Sequence, residues 1–503
     1  RHRGPDGSGI HVADGVGLAH TRLSIIDVER GAQPLCNEDG QVVITYNGEV
    51  YNYIELRAEL ESHGHVFRTR SDTEAIVHAY EQWGDEFPTR LNGQFALAIH
   101  DRRRRRVVLA RDRFGVRPLF YSEHAGSLFF ASEVKALFAG GVPSAPDPVG
   151  LDEIFTFWGA RAPRTCFAGV RQLEPGTIAV WERGALRASR YYELEYPEER
   201  DESADAIRQL DDIMRGSVDL RLRSDVPVGG YLSGGLDSSI TCALAAADSS
   251  ADLHTFSISF DDPALDESEF QQIVARQIRC RTWVRQVGAG DIAGVFPSVV
   301  RHAETPLVRT APAPMYLLAR LVREHGIKVV LTGEGADEVF LGYDLFKETS
   351  VRLFCLRRPE SAMRPRLFDR LYPYLQHSGG DFWRRSFLDA GGPGDPLFSH
   401  LPRFLLTARI KAFYSDGMRA ALAGEDVMAD LRASLPPAFA RWSPLNRAAY
   451  LEMRTLLSPY LLSSQGDRMA MAHGIEGRFP FLDHRVFELA AALPTSSKLL
   501  GLK

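Results

Sequence analysis

The sequence has little of what marks a secreted, membrane-bound or nucleic-acid-binding protein. No apolar stretch approaches the roughly 18 residues that a membrane helix needs, and no basic segment leads into an apolar one at the start. The 503 residues include only five cysteines, which lie far apart, and this argues against both a disulfide framework and a zinc site. Lys plus Arg (59) and Asp plus Glu (65) nearly balance, so no polyanion is expected as a partner. We therefore expect a cytoplasmic protein that binds neither membranes nor nucleic acid.

One run of like charge stands out against this balance. Residues 102–106 are five consecutive arginines between two strand-like stretches, 95–99 and 107–110. No aromatic residues interleave them, as they do on surfaces that stack nucleic-acid bases. We therefore predict a solvated hairpin turn.

The N-terminal part of the chain predicts a mixed α and β domain over residues 1–195. Short β-branched runs such as 41–46 alternate with helical patterns at 53–64 and 73–84. A charged stretch, residues 196–202, is the predicted linker to a second domain.

The remainder, residues 203–503, changes to repeated units of strand, loop and helix. Such alternation predicts a doubly wound α/β domain with a parallel sheet. The predicted buried strands are residues 227–232, 253–260 and 328–332. Over residues 350–442 we expect only irregular helices.

The strongest candidate site in this domain is the loop at residues 231–239, YLSGGLDSS. A strand runs into a Gly-Gly turn that lets backbone N–H groups approach an anion, and the following helix N-terminus adds partial positive charge. The loop lacks the Gly-Lys-Ser/Thr of a Walker sequence. Asp237 would repel a phosphate unless a cation lay between them, so the loop predicts a phosphate site with Mg²⁺.

A second acidic loop, TGEGADE at residues 332–338, follows another strand-like run. The carboxyl ends of parallel strands meet at one edge of a sheet, so this loop should lie beside the first. Asp337 is then a second metal ligand, and Glu334 is placed to act as a base. For this segment alone, a surface turn with acids at a helix N-terminus is the alternative.

These two loops belong to a longer series of motifs that runs over nearly the whole chain. In their sequence and in their order along the chain, these motifs resemble those of the glutamine-hydrolysing asparagine synthetases. In that family a class II glutamine amidotransferase domain is fused to an ATP pyrophosphatase domain. The resemblance implies an N-terminal-nucleophile αββα sandwich ahead of the doubly wound domain. The motifs are residues 1–7 (RHRGPDG), 22–27 (RLSIID), 47–52 (NGEVYN), 71–74 (SDTE), 233–239 (SGGLDSS), 333–340 (GEGADEVF), 467–469 (DRM) and 476–483 (EGRFPFLD).

The resemblance also implies which residues bind glutamine. Arg22 matches the residue that holds the carboxylate of glutamine, and Glu49 and Asp72 match those that hold its amino group. Asn47 and Gly48 match the oxyanion hole, and losing one such donor typically costs about 10²–10³ in rate. The other residues of the implied pocket are Leu23, Ser24, Ile25 and Ile26.

For the second domain, the resemblance implies ATP, Mg²⁺ and aspartate as ligands. Asp237 and Asp337 match the metal ligands, and Glu334 matches the base that takes a proton from ammonia. Arg309 is the candidate partner of the aspartate α-carboxylate, with a role in a surface salt bridge as the alternative. The implied ATP-binding residues are Leu232, Ser233, Gly234, Gly235, Asp237, Ser238, Ser239, Ile258, Thr332 and Gly333.

The chain departs from the family at its ends. The family's nucleophile is an N-terminal cysteine, whereas this sequence begins with Arg1, so we expect a chain truncated at both ends. Two other functions stay open, a related amidotransferase or β-lactam-type synthetase acting on another carboxylate, and a non-catalytic glutamine-binding relative. The sequence also leaves the oligomeric state open, a homodimer being one candidate.

Overall fold

The computed structural model describes residues 1–199, 204–248, 253–372 and 380–502. Within these ranges, we find no helix with the length and apolar character that crossing a bilayer requires.

The N-terminal domain contains eleven strands arranged in three sheets. The largest has the order β11-β10-β6-β5-β4-β3, the second β8-β7-β9, and β1 pairs with β2 alone. The strands are β1 (Gly7–Ala13), β2 (Val16–Arg22), β3 (Leu35–Cys36), β4 (Val42–Val50), β5 (Gly93–Asp101), β6 (Arg106–Arg111), β7 (Phe120–His124), β8 (Ser127–Ala131), β9 (Arg171–Gln172), β10 (Thr177–Glu182) and β11 (Ala185–Arg190). The helices are α1 (Tyr53–Ser62), α2 (Asp72–Trp83), α3 (Val134–Ala139) and α4 (Pro148–Phe157).

The N-terminal sheets stack as the inner layers of a four-layer sandwich. Successive residues of a strand point to opposite faces of the sheet, and both faces of β4 are buried. Ile44 lies in one apolar cluster with Ile76 of α2, while Val43 lies in another with Tyr121 of β7. The adjacent Phe120 packs on the far side, against α3. The αββα prediction is therefore confirmed.

The arginine run forms the predicted hairpin turn, since Asp101 pairs with Arg106 at the ends of β5 and β6. Arg102 and Arg103 each contact an aspartate on a neighbouring turn, Asp14 and Asp39 respectively. These local carboxylates neutralise much of the positive charge of the turn.

The C-terminal domain is built on a five-stranded parallel sheet of order β14-β13-β12-β15-β16, which confirms the doubly wound prediction. The chain order reverses direction between β12 and β15, which are direct neighbours. In open α/β sheets this switch point is where ligands bind. The strands are β12 (Val228–Tyr231), β13 (His254–Phe260), β14 (Arg281–Val287), β15 (Val329–Leu331) and β16 (Glu476–Arg478).

Helices surround this sheet and continue beyond it as a helical region. The described residues between 350 and 442 form short helices, where the sequence predicted irregular ones. A π-helix, Met453–Asp467, then leads back towards β16. The helices are α5 (Ala204–Leu222), α6 (Leu236–Asp248), α7 (Ser268–Ile278), α8 (Ala289–Ala303), α9 (Pro312–Glu324), α10 (Ala336–Phe340), α11 (Asp344–Leu356), α12 (Phe368–Leu371), α13 (Gly380–Asp389), α14 (Leu401–Thr407), α15 (Asp416–Ala421), α16 (Val427–Ala433), α17 (Pro444–Glu452), α18 (Arg468–Met471), α19 (His484–Ala492) and α20 (Thr495–Lys498).

The predicted linker at 196–202 is not solvated throughout. Residues 200–202 lie outside the described ranges, but Tyr196 is buried in the largest apolar cluster that the described residues form. Its ring lies 5.1 Å from Trp442 and 5.6 Å from Phe487, both in the C-terminal domain. Burying an aromatic ring is a large apolar gain, and this outweighs the polarity of the neighbouring glutamates.

Candidate functional site

The N-terminal domain holds a cleft of about 1110 Å³ between its two larger sheets and the β1–β2 hairpin. Its walls carry all of the predicted glutamine-binding residues except Ser24. The N–H of Ser24 donates to Asp6 Oδ2 at 2.9 Å, and its carbonyl faces Lys328. The predicted residues on the walls are Arg22, Leu23, Ile25, Ile26, Asn47, Gly48, Glu49 and Asp72.

Asn47, Gly48 and Glu49 lie within strand β4, which continues to Val50, beyond residue 46 where the sequence pattern ended the strand. Gly48 has φ +141°, and a Cβ there would lie 1.9 Å from the carbonyl oxygen of Gln94. Only glycine therefore lets β4 approach β5 this closely. The Asn47 side-chain amide points across the cleft to Ser132 Oγ at 3.2 Å.

Two buried carboxylates lie at one end of the cleft. Asp72, the first residue of α2, accepts hydrogen bonds from the Tyr46 hydroxyl at 2.8 Å and the Val50 N–H at 3.1 Å. Glu49 Oε2 accepts from Arg478, while its Oε1 is buried without a hydrogen bond in the described structure. Burial raises the pKa of both acids, and Asp72 raises that of Glu49 further. A positively charged donor such as an α-ammonium group would complete this end of the cleft.

Arg22 supplies a positive charge to the same cleft. Its guanidinium donates to the carbonyl oxygens of Val28 at 2.9 Å, Ile26 at 3.1 Å and Asp27 at 2.7 Å, which fixes the loop after β2. An arginine has five N–H donors, so two remain for a ligand. One guanidinium and two carboxylates in one cleft match the two charged groups of an α-amino acid.

Among the described residues that line this cleft, none is a cysteine. Burial raises the pKa of the Cys166 thiol to about 11 and that of Cys242 to about 12, which suppresses the nucleophilic thiolate.

The second predicted site lies at the carboxyl ends of β12, β13 and β15. After Tyr231 the chain forms the Gly-Gly turn and enters α6, as the sequence predicted. The Ser233 and Ser238 hydroxyls lie 3.0 Å apart and close the turn, and Ser239 Oγ donates to the carbonyl of Gly235 at 2.6 Å. Ser257 Oγ donates to the carbonyl of Leu232 at 2.6 Å. This hydrogen bond holds β13, which also contains Ile258, against the Gly-Gly loop.

The two acidic loops touch each other at Gly333. A Cβ built there would lie 2.9 Å from the Ser238 backbone nitrogen and 3.0 Å from Asp237 Cβ. Thr332 is buried, and its N–H donates to the carbonyl of Arg478 in β16 at 2.9 Å. The structure thus brings together the segments 232–239 and 332–337, which lie far apart in the chain.

Three acids converge where the loops meet. Burial raises the pKa of Asp337 to about 6, with added repulsion from Asp237 and Glu334. Burial and Glu334 likewise raise the pKa of Asp237, and Glu334 Oε2 is buried without a hydrogen-bond partner in the described structure. A hard divalent cation such as Mg²⁺ fits this group of carboxylates. It would relieve their mutual repulsion and give the unpaired Glu334 oxygen a partner.

Arg309 lies in the segment between α8 and α9. It is exposed, and its guanidinium covers the ring of Trp158 at 4.6 Å from the ring centroid. Within the described ranges, no carboxylate pairs with Arg309. The surface salt-bridge alternative therefore finds no support in the geometry, and the guanidinium remains available to a carboxylate ligand.

The sequence reasoning missed the role of Arg478, which joins the two sites. Its side chain, fully buried, donates to Glu49 Oε2 and Glu476 Oε1, each at 2.9 Å. It also donates to the carbonyl oxygens of Arg221 and Arg223, each at 2.7 Å. The sequence does contain a sign of this role, because Arg478 is followed by the apolar residues FPFL of the EGRFPFLD motif. An arginine buried among apolar residues needs charged or polar partners.

The chain matches two family models, a glutamine amidotransferase domain over residues 1–192 and asparagine synthase over residues 209–503. Glutamine-hydrolyzing asparagine synthetase 1 of Bacillus subtilis is 32% identical over 501 residues, which cover 99% of this chain and 77% of the relative. Asparagine synthetase 3 of the same organism is 29% identical, with the same coverages. The amidase chyE of Penicillium rubens is 30% identical, again over 99% of this chain and 77% of its own length.

Proposed function

Because the chain belongs to the glutamine-hydrolysing asparagine synthetase family, we propose that it makes L-asparagine from L-aspartate with ammonia taken from glutamine. In this proposal ATP activates the aspartate side chain as a β-aspartyl-adenylate, and AMP and pyrophosphate are released. The work is divided between a glutaminase domain, residues 1–195, and a synthetase domain, residues 203–503. We place the reaction in the cytoplasm, in keeping with the free thiols of the described cysteines.

In the glutaminase cleft, the positions of one cationic and two acidic side chains support the binding of glutamine. Arg22 holds the carboxylate of glutamine, and Glu49 with Asp72 holds the ammonium group. Asn47 and Gly48 supply the donors that stabilise a tetrahedral oxyanion. The orphaned Oε1 of Glu49 supports this orientation, because an acceptor without a donor is costly when buried.

In the synthetase domain, the meeting of the two acidic loops at Gly333 is the observation that carries the proposal. The Gly-Gly turn and the N–H groups that open α6 bind the phosphates of ATP. Asp237 and Asp337 would hold Mg²⁺, which supplies charge neutralisation at the pyrophosphate when it is bound. Glu334 takes the proton that ammonia loses, and Arg309 binds the α-carboxylate of aspartate.

The test measures pyrophosphate and AMP formation by the purified protein with ATP, MgCl₂ and ammonium chloride, which bypasses the glutaminase. L-aspartate should stimulate both products, and Asp237→Asn should lower the rate by orders of magnitude because a metal ligand is lost. Asp211→Asn is the matched control, since Asp211 forms only an exposed pair with Arg215 on α5. Formation of ADP and phosphate would refute the adenylate chemistry.

A second candidate, left open by the sequence, is the amidation of a different carboxylic acid. The relative chyE is named an amidase and not an asparagine synthetase at nearly the same identity, so membership of the family does not by itself fix the acceptor. The same assay separates the two with a panel of carboxylates. If another acid stimulates pyrophosphate release and aspartate does not, asparagine is the wrong product. Arg309→Ala should raise the KM for aspartate and leave that for ATP unchanged if aspartate is the acceptor.

A further inference from the structure

A cluster of imidazoles and carboxylates lies on the N-terminal domain, formed by three separate segments. Glu38 comes from the turn between β3 and β4, His65 follows α1, and His78 and Glu81 lie one helical turn apart on α2. One nitrogen or carboxylate oxygen from each of Glu38, His65 and His78 lies within 4.8 Å of the other two. Glu81 Oε2 lies 3.0 Å from His78 Nδ1 and 4.0 Å from His65 Nδ1.

Each carboxylate of the cluster turns one oxygen inward and has the other fixed from outside. Glu38 Oε2 faces His78 Nδ1 at 3.8 Å, while Glu38 Oε1 accepts the Val66 N–H at 3.0 Å. Glu81 Oε1 accepts from Asn37 Nδ2 at 2.6 Å. Outer hydrogen bonds of this kind orient carboxylates that bind metals.

The two imidazoles are arranged in the same way. His65 Nε2 lies 3.3 Å from Gln82 Oε1, on the side away from the cluster. His78 is fully buried, and its Nε2 has no hydrogen bond but faces Glu74 Oε1 at 3.9 Å. A histidine that binds metal through one nitrogen commonly has a carboxylate at the other.

We propose that His65, His78, Glu38 and Glu81 form a site for a divalent transition metal, with Zn²⁺ as the expected occupant. A tetrahedral zinc ion with bonds of about 2.0–2.2 Å holds its ligand atoms roughly 3.3–3.6 Å apart. Three of the six separations among the four side chains are 3.0, 3.8 and 4.0 Å, and the atoms of Glu38, His65 and His78 lie within 4.8 Å of one another, so small side-chain rotations would bring the ligands to these distances. The wide spacing of the cysteines argued against zinc in the sequence, but this site uses only imidazole and carboxylate.

The rival occupant is a proton. Burial lowers the pKa of His78, but Glu74, Glu81 and Glu38 outweigh it and raise the pKa to about 9. An imidazolium held among three glutamates would need no metal, so the two explanations differ in whether the protein binds zinc.

A second cluster, formed by His2, Glu133 and His302, provides an internal comparison. Three positive side chains lie within 4 Å of Glu133 and make it a poorer cation site than the first cluster. They are Arg3, Lys135 and Arg468. In the first cluster, Arg103 lies 3.9 Å from the outer oxygen of Glu81, Oε1, and not from an oxygen that faces the histidines.

The test uses protein purified without a histidine tag, stripped with EDTA, dialysed and titrated with ZnCl₂ by calorimetry. We expect one equivalent of zinc to bind, and Co²⁺ to give the visible absorption of a tetrahedral site. His65→Ala and Glu81→Gln should abolish both signals. Both side chains are partly exposed, at 15% and 13%, and a circular dichroism spectrum should show that the fold persists. Asn37→Ala should weaken zinc binding about 10- to 100-fold by freeing the outer oxygen of Glu81.

Three controls should bind zinc as the unsubstituted protein does. His63→Ala removes an exposed histidine just after α1, His302→Ala disrupts the comparison cluster, and Cys36→Ser removes the exposed thiol beside Asn37. If zinc does not bind, or binds equally to His65→Ala and Glu81→Gln, the metal site is refuted and the protonated histidine is favoured. Loss of binding in Cys36→Ser alone would also refute it.

Discussion

Arg478 connects the two domains through a buried ion pair, and replacing it with methionine tests how the glutamine cleft is held. The side chain of Arg478 is fully buried, and that of Glu49 is 4% exposed. Methionine keeps much of the volume and removes the positive charge. The change leaves Glu49 and Glu476 without their shared cation, and it leaves two backbone carbonyl oxygens without their donor.

The expected loss of stability is large. Removing one partner of a buried ion pair costs about 3–5 kcal/mol, because the buried Glu49 carboxyl must then either stay charged without its partner or take up a proton. The same change acts on glutamine binding, since Arg478 opposes the effects of burial and Asp72 that raise the pKa of Glu49. In the variant that pKa rises further, and Glu49 becomes a neutral acid. Losing a charge-assisted hydrogen bond of about 1.5–3 kcal/mol weakens glutamine binding about 10- to 150-fold.

Two measurements check these effects separately. Denaturant unfolding reports the free energy, and calorimetric titration with glutamine reports Kd from pH 6 to 9. If Glu49 binds the ammonium group as proposed, it can do so only in its ionised form, so affinity in Arg478→Met should recover as the pH rises. Arg223→Met is the matched control. Its ion pair with Glu55 also joins the domains but is exposed, and such pairs contribute about 0–1 kcal/mol.

The reasoning is wrong if Arg478→Met binds glutamine as tightly as the unsubstituted protein while remaining folded. It is also wrong if the weakened binding does not depend on pH, because the defect would then be only one of packing. Should the methionine variant fail to fold, Arg478→Lys keeps the charge without the planar fork and should give intermediate affinity.

Three further predictions concern single side chains. Arg22→Ala should weaken glutamine binding in calorimetry at least about 10-fold, because the carboxylate loses its cation. Gly333→Ala should abolish pyrophosphate release, because its Cβ would lie 2.9 Å from the Ser238 nitrogen and force the acidic loops apart. Burial opposes the ionisation of Glu452, but Arg403 outweighs it and lowers the pKa of Glu452 to about 2. The ionised Glu452 therefore stabilises the folded protein fully above about pH 4.5, and this contribution is lost as the pH falls towards 2. Glu452→Gln should therefore unfold more readily near neutral pH, and the difference from the unsubstituted protein should shrink in acid.

Matched substitutions that should have no effect serve as controls for these three predictions. They are Arg30→Ala at an exposed position, Gly290→Ala, where nothing lies within 4 Å of the added Cβ, and Glu324→Gln in an exposed pair on α9. A control that changes as much as its partner variant would contradict the specific mechanism proposed.

Local patterns allowed the sequence to predict both loops that form the candidate synthetase site. An apolar run, a glycine pair and a following helical pattern are all contained in residues 228–248. Parallel strands place their carboxyl ends at one edge, so the convergence of Asp237 with Asp337 followed from topology alone. The β-branched run at residues 41–46 likewise predicted a strand, which the structure shows as β4.

Features that depend on distant segments were not predictable in this way. β16 is three residues long, and a sequence of Glu, Gly and Arg has low strand propensity. It forms because it pairs with β15 and supplies the buried arginine. The end of β4 was placed too early because Asn47 and Gly48 are typical of turns. The burial of Tyr196 depends on a hydrophobic cluster that forms only when both domains are folded, since it contains Phe114 and Phe157 as well as Trp442 and Phe487.

The position of β16 gives a physical reason for a charged residue at the centre of the domain interface. The side chain of Arg478 binds Glu49 in the glutamine cleft, while its backbone carbonyl accepts the N–H of Thr332 beside the acidic loops. Arg478 therefore contacts both candidate sites: its side chain contacts the glutamine cleft, and its backbone contacts the acidic loops. A hydrophobic residue could fill the same space, and buried ion pairs often give no net stability over one. The ion pair instead fixes the orientation of Glu49, because its hydrogen bonds hold that side chain in place relative to the edge of the parallel sheet, where ammonia would be used.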